Sequence, residues 1–230
     1  MSEKYFPFDS PDLYPPLNDE WAAKRKLADA TRALIANLVT CTNDTEEILA
    51  ISEVVQAQAD KLASSRQILG RAEYEAQDEQ RYGTLSTIAY ELNPLDGKCN
   101  PLAPPIMVWM DDEAIYGSVN MGWHYEGPPN SVHGGFVAAL FDQFLGLGQK
   151  ITGQPGVTGS LTTRYHKPTP LNTELKLTGK VVSIEGRKNT LRAEIWANGS
   201  MTASCEGLFI SIDRETYMRM KRMQESTQSR

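Results

Sequence analysis

The chain has 230 residues, 40% of them hydrophobic and 23% charged, with a formal net charge of −6. That length and apolar fraction suit one large globular domain or a domain with an extension, while the acidic balance argues against non-specific nucleic-acid binding, which needs concentrated positive surface. The three cysteines, Cys41, Cys99 and Cys205, are too widely spaced for a disulfide framework or a zinc site, no apolar run is long enough to span a membrane, and Met1 to Tyr14 lacks the apolar stretch of a signal peptide. The chain therefore reads as a cytoplasmic protein with free thiols and no metal.

Residues 1–17 carry Pro7, Pro11, Pro15 and Pro16 between aromatic residues, the pattern of an extended arm. From Asp19, Trp21, Leu27, Thr31, Leu34, Ile35 and Leu38 recur at helical spacing, with Asn18 placed to cap the helix and Trp21 and the leucines expected to pack. A second helix follows Asn43-Asp44, with Glu46 expected to complete the cap and Ile48, Ile51, Val55 and Leu62 on its apolar side. The two helices form an expected hairpin. Residues 66–100, polar and punctuated by Asn-Pro, read as a linker. Strands follow at Ile106 to Met110 and Ala114 to Val119, then a helix from Gly134 to Gly148, then strands at Val157 to His166, Glu174 to Ile184, Thr190 to Ala197 and Met201 to Ile212. Asn198-Gly199 signals a two-residue hairpin, and the short connections favour an antiparallel meander. One long helix against about six strands is an α+β architecture in which the sheet can curl around the helix. The layout is an N-terminal arm and helical extension (1–99), a main domain (100–213) and a C-terminal tail (214–230), whose basic, methionine-rich stretch Arg214 to Arg222 reads as a solvated frayed helix in preference to a peripheral partner or membrane contact.

The stretch GPPNSVHGGFVAALFDQFLGLG, Gly127 to Gly148, carries the chemistry. Val137, Leu140, Phe141 and Phe144 make the apolar stripe, and Asp142 falls off it among Gly135, Ala138, Ala139 and Gly146, a small-residue face expected to bury the acid against something other than bulk water. The helix start presents unpaired N–H groups with partial positive charge, so the backbone at Gly134 or Gly135 can meet a ligand oxygen. An oxyanion donor and a carboxylate on one helix suit acyl transfer. Taken alone, His-Gly-Gly is a weak pattern, and a single helical Asp is more often a solvated residue. Thr158, Ser160, Thr162 and Arg164 alternate onto one strand face as a polar row.

Several motifs stand in order: NPLAPP at 100–105, GPPNSVHGG at 127–135, Asp142 nine residues after His133, TGSLTTRYHKPTPL at 158–171 and SIEGRK at 183–188. Together they resemble the hotdog-fold acyl-CoA thioesterases of the mammalian Them type and the phenylacetic-acid-pathway type. The resemblance covers roughly residues 100–212, and the N-terminal helices lie outside it. It implies a sheet wrapped around the central helix, and a homodimer or homotetramer with active sites at the dimer interface. The family's acid maps onto Asp142, its oxyanion-donating glycine onto Gly134 and its water-positioning threonine onto Thr158. His133 suits a capping or loop-ordering role at the helix entrance. The phenylacetic-acid type carries an asparagine in the loop before His-Gly-Gly; Asn130 stands in that loop and its role stays open.

The activity so implied is hydrolysis of a fatty or related acyl-CoA, with Asp142 activating water or attacking as a nucleophile, and no cofactor beyond the coenzyme A of the substrate. An acidic protein needs discrete cations for the three phosphates of coenzyme A, and Arg164, Lys167, Arg187 and Lys188 are the candidates. The acyl chain is expected to run along the helix past Phe136, Leu140 and Phe144 or their strand neighbours, fitting medium to long fatty acyl groups. The alternative is a non-catalytic acyl-CoA sensor. A hydratase is disfavoured by the lack of a suitable Asp-to-His spacing, and neither nucleic-acid binding nor stable membrane insertion is expected.

Overall fold

A computed structural model describes residues 15–154 and 156–212, so nearly all of the proline-rich arm and the basic tail lie outside the described residues. The chain divides into two compact units, Pro16–Ala103 and a second beginning at Pro104.

The first unit opens with α1 (Asp19–Leu38) and α2 (Thr45–Ala63). The Asn18 side chain accepts the Trp21 N–H at 3.1 Å, and Asp44 caps α2 by accepting from Glu47 at 2.9 Å. The partner in that cap is Glu47 rather than Glu46, since the third helical position is the one whose N–H faces the cap. Residues 66–100 are no linker. They contain three short helices, α3 (Arg71–Glu75), α4 (Glu79–Tyr82) and α5 (Leu85–Leu92), too brief for a periodic apolar signal. Trp21, 1% exposed, packs its ring against Tyr74 and Tyr82 at centroid distances of 5.9 and 6.4 Å. Glu91 is buried beneath α1, where Arg25 Nη2 meets it at 2.6 Å and the Cys99 thiol donates to it at 3.1 Å. Burial and the neighbouring carboxylate hold the Cys99 thiol well above its ordinary pKa, making it a structural group and not a nucleophile. Trp21 packs as expected, but Leu27, Leu34 and Leu38 are exposed.

The second unit is a six-stranded antiparallel sheet around one helix. The strands are β1 (Met107–Met110), β2 (Ala114–Asn120), β3 (Gly156–Tyr165), β4 (Glu174–Glu185), β5 (Lys188–Ala197) and β6 (Ser200–Ser211); the helix, α6 (Gly134–Gly148), separates β2 from β3. Their spatial order, β1-β2-β4-β5-β6-β3, makes β1 and β3 the edges. Only β4 to β6 form the expected meander. β4 leaves β3 to pair with β2, because the intervening segment, stiffened by Pro168 and Pro170, bridges to the loop before α6 through Ser131 and Pro170. Asn198 and Gly199, with φ of 49° and 74°, close the β5–β6 hairpin as a left-handed two-residue turn.

The core is the apolar side of α6 against the concave sheet. Val137, Leu140, Phe141, Phe144 and Leu145 are each at most 1% exposed. Phe144 sits over Gly117 and Gly179, where an added Cβ would lie 3.1 and 3.0 Å from its ring, so those glycines set how closely the helix approaches the sheet. Leu140 and Phe144 are therefore core residues and line no acyl channel. Burying five large apolar side chains from one 15-residue helix stabilises the unit by roughly 1.5–3 kcal/mol per side chain before entropy is counted.

Candidate active site

The start of α6 is built by hydrogen bonds from three segments. Val132 N–H donates to Thr169 O and His133 N–H to Tyr125 O, each at 2.8 Å, which fixes the loop entering the helix. His133 has φ −57° and ψ 132°, so helical geometry begins only after it, and its Nδ1 accepts the Gly135 N–H at 3.0 Å. This is the expected capping role, and it requires Nδ1 to be the unprotonated ring nitrogen. The N–H groups of Phe136 and Val137 both turn back to His133 O, at 2.9 and 3.2 Å. Gly134 N–H is left with no partner among the described residues. Of the two glycines, only Gly134 keeps its donor for a ligand.

Tyr165, at the end of β3, supplies a contact that sequence reasoning missed. Its hydroxyl donates to Gly134 O at 2.9 Å. Together with the His133 cap it pins both ends of the Gly134–Gly135 peptide. No spacing rule signals this, since it depends on where β3 runs. Val132, Gly134, Val137, Tyr165, Lys167 and Pro168 help line a cleft of about 400 Å³ at this point.

Two turns along α6, Asp142 Oδ1 accepts the Thr158 hydroxyl at 2.8 Å. The acid is half-buried rather than buried, because its small-residue side is open: a Cβ added at Gly146 would meet nothing within 4 Å. Oδ2 of Asp142 has no partner among the described residues. Thr158 does not share a face with Ser160, Thr162 and Arg164. Pairing with β6 slips by one residue between Thr158 and Ser160, so Gly159 is the extra residue of a bulge. The bulge reverses the alternation and turns Thr158 toward α6, the side on which Leu161 packs and Tyr165 meets Gly134.

The two halves of the site do not converge within one chain. Gly134 and Asp142 are eight residues apart on α6, which at 1.5 Å per residue is about 12 Å. Donor and acid thus stand on the same helix, as expected, but at separate points along it.

The candidate cations divide in the same way. Arg187 donates from Nε to Ser211 O at 3.1 Å, and Lys188 pairs with Ile210. Since Ser211 pairs with Gly156, both lie at the end of the sheet where Thr158 stands. Arg164, opposite Ser204, and Lys167, 3.2 Å from Ser200 Oγ, lie at the other end, beside the helix start. Arg164 also helps line a cleft of about 530 Å³ on the outer face with His166, Arg192 and Glu206. Asn130 is an exposed turn residue with φ 59°, its N–H held by Glu126 Oε1 at 2.7 Å. No group of three or more metal-ligating side chains occurs among the described residues, and no described helix is long and apolar enough to cross a membrane.

A six-stranded antiparallel sheet wrapped on one central helix, with an acid–threonine pair and a glycine-rich helix start, defines a hotdog-fold domain. Residues 129–204 match the Thioesterase superfamily. A solved structure of a thioesterase superfamily protein is 31% identical, covering 82% of this chain and 90% of that one with a TM-score of 0.66. The chain belongs to the thioesterase superfamily. It is also similar to acyl-coenzyme A thioesterase THEM4, being 39% identical to the Xenopus laevis protein over 67 residues (29% of this chain, 30% of that protein). Identity to the Mus musculus protein is 33% over 96 residues, 41% of each chain. The matched segments thus span less than half the length of these curated relatives.

Proposed function

We propose that the chain is an acyl-CoA thioesterase in which Asp142 acts as general base on water and the Gly134 amide holds the oxyanion. The observation that carries this is the 2.8 Å hydrogen bond from Thr158 to Asp142, which fixes one carboxylate oxygen and leaves the other for a water. Water is a poor nucleophile, so a carboxylate at its proton is the contribution it needs. As the water oxygen bonds to the thioester carbon, its proton passes to Asp142 and the carbonyl becomes an oxyanion. The C–S bond then breaks, and the proton goes to the departing thiolate, giving a free acid and coenzyme A. A fixed N–H donor at the oxyanion contributes about 3 kcal/mol, or 10² to 10³-fold in rate.

The 12 Å spacing on α6 supports a composite site, with Asp142 and Thr158 from one chain and Gly134 from a second copy. Such a homo-oligomer also joins Arg187 and Lys188 of the first chain to Arg164 and Lys167 of the second, supplying cations for the coenzyme A phosphates. His133 and Gly135 serve by ordering the donor. The acyl chain occupies the cleft beside Val137 and Tyr165.

The test is release of free thiol from a panel of short, long and aromatic acyl-CoAs. Wild type should turn over at least one class. Asp142→Asn should lose at least about 10²-fold in kcat with its circular dichroism unchanged. Wild-type turnover in that variant would remove Asp142 from the chemistry, and inactivity of the wild type on every substrate, with acyl-CoA still bound, would favour the non-catalytic sensor.

A further inference from the structure

We infer, building on the role proposed for Asp142 and Thr158, that the buried amides of Gln149 and Asn189 are positioning residues for that pair. The two side chains belong to residues 3% and 0% exposed. They act on the segment that joins acid to threonine. Asp142 and Thr158 are sixteen residues apart, and between them the chain leaves α6 through a 3₁₀ turn, Gln149–Thr152, before β3 begins at Gly156. Gln149 Oε1 accepts the Gly156 N–H at 2.8 Å, and Asn189 Nδ2 donates to Gln154 O at 2.8 Å. Thr152 Oγ1 ties the turn together, donating to Gln149 O at 2.7 Å and accepting the Gln154 N–H at 3.0 Å.

This grip matters because β3 is lightly held where Thr158 stands. It is an edge strand, paired within the chain only with β6, and the bulge at Gly159 interrupts that pairing on one side of Thr158. On the other side the Gly156 backbone lies so close to β6 that a Cβ there would collide with Ile210 O. Sliding β3 by one residue to erase the bulge would bring Val157 to that spot, so the whole register cannot relax. The freedom left to the leading end of β3 is a local shift of about 1 Å, enough to cost up to 10²-fold when it misplaces a catalytic group. The two amides remove it.

Asn189 stands in one row with Phe209 and Thr158 across β5, β6 and β3. A carbonyl can only accept, so Nδ2 must face Gln154 O, and Oδ1 is left without a partner among the described residues. A buried acceptor in that state lowers stability, and an apolar residue of the same size would avoid the loss. Stability therefore does not account for this amide, whereas its hold on Gln154 does.

Asn189→Leu and Gln149→Met keep the side-chain volume and remove the grip. Each should lose about ten- to a hundred-fold in kcat on the acyl-CoA that wild type hydrolyses, with KM within about two-fold of wild type and helix content by circular dichroism retained. Asn189→Leu should also melt no lower than wild type, because the orphaned Oδ1 leaves with the amide. Crystal structures of both variants should show the Thr158–Asp142 hydrogen bond opened, a readout that needs no turnover. In a Thr158→Val background neither substitution should lower kcat further, since nothing is left to position. Wild-type kcat in both variants beside an inactive Asp142→Asn would overturn the inference and leave the proposed chemistry standing. So would an intact Thr158–Asp142 bond in the variants, or losses that multiply with that of Thr158→Val, either of which would make the two amides ordinary packing residues. A fully active Asp142→Asn would instead sink the proposed chemistry, and the role of both amides with it.

Discussion

At the scale of single residues, the site rests on which backbone groups are already taken. Gly135 is adjacent to Gly134 and equally small, but its N–H is committed to His133, whereas that of Gly134 is not. Gly134→Pro tests this directly, because proline is accepted at the first helical position and removes only the donor. His133 already has the extended ψ that a residue before proline requires, and a Cβ at position 134 would sit 3.5 Å from the Tyr165 ring, an ordinary contact. The variant should keep its helix content by circular dichroism while kcat falls about 10² to 10³-fold. Helical spacing set Asp142 off the apolar stripe, and the helix start offered Gly134 or Gly135 as a donor, whereas Thr158 and the choice of Gly134 came only from the family resemblance. Tyr165 was legible by neither route. Its role is a contact across 31 positions that exists only once β3 lies beside the helix start.

At the scale of elements, the long helices and all six strands were readable from their periodicity, and their ends shifted by at most two residues. The sheet order was less so, since loop length alone does not say which neighbour a strand will take when prolines tie its leading loop elsewhere. The α3 to α5 segment was misread because helices of four to eight residues hold no repeating apolar pattern, and an aromatic cluster stabilises them instead. The bulge at Gly159 left no pattern either, as strict alternation of Thr158, Ser160, Thr162 and Arg164 looks like an uninterrupted strand. Its importance can be measured by deleting Gly159. Every functional side chain remains, but the strand loses the extra residue that turns Thr158 to the helix. Hydrolysis should drop on the order of 10²-fold, the cost of a misplaced catalytic group, in a protein whose thermal transition remains cooperative.

At the scale of the whole molecule, a site divided along one helix makes a prediction that a single-chain site does not. Mixed and reassembled, Asp142→Asn and Gly134→Pro chains should regain about a quarter of wild-type activity, because half of randomly formed two-fold pairs are hybrids and each hybrid restores one of its two sites. Recovery would be read as thiol release before and after subunit exchange, and no recovery would place donor and acid in the same chain. The eight-residue interval between Gly134 and Asp142 then has a kinetic corollary. In the proposed composite site the chain enters its own rate law twice, so dilution should remove active sites and not merely enzyme. Turnover per chain falls as the concentration drops below the dissociation constant of the pair, and substrate that bridges the two halves slows their separation.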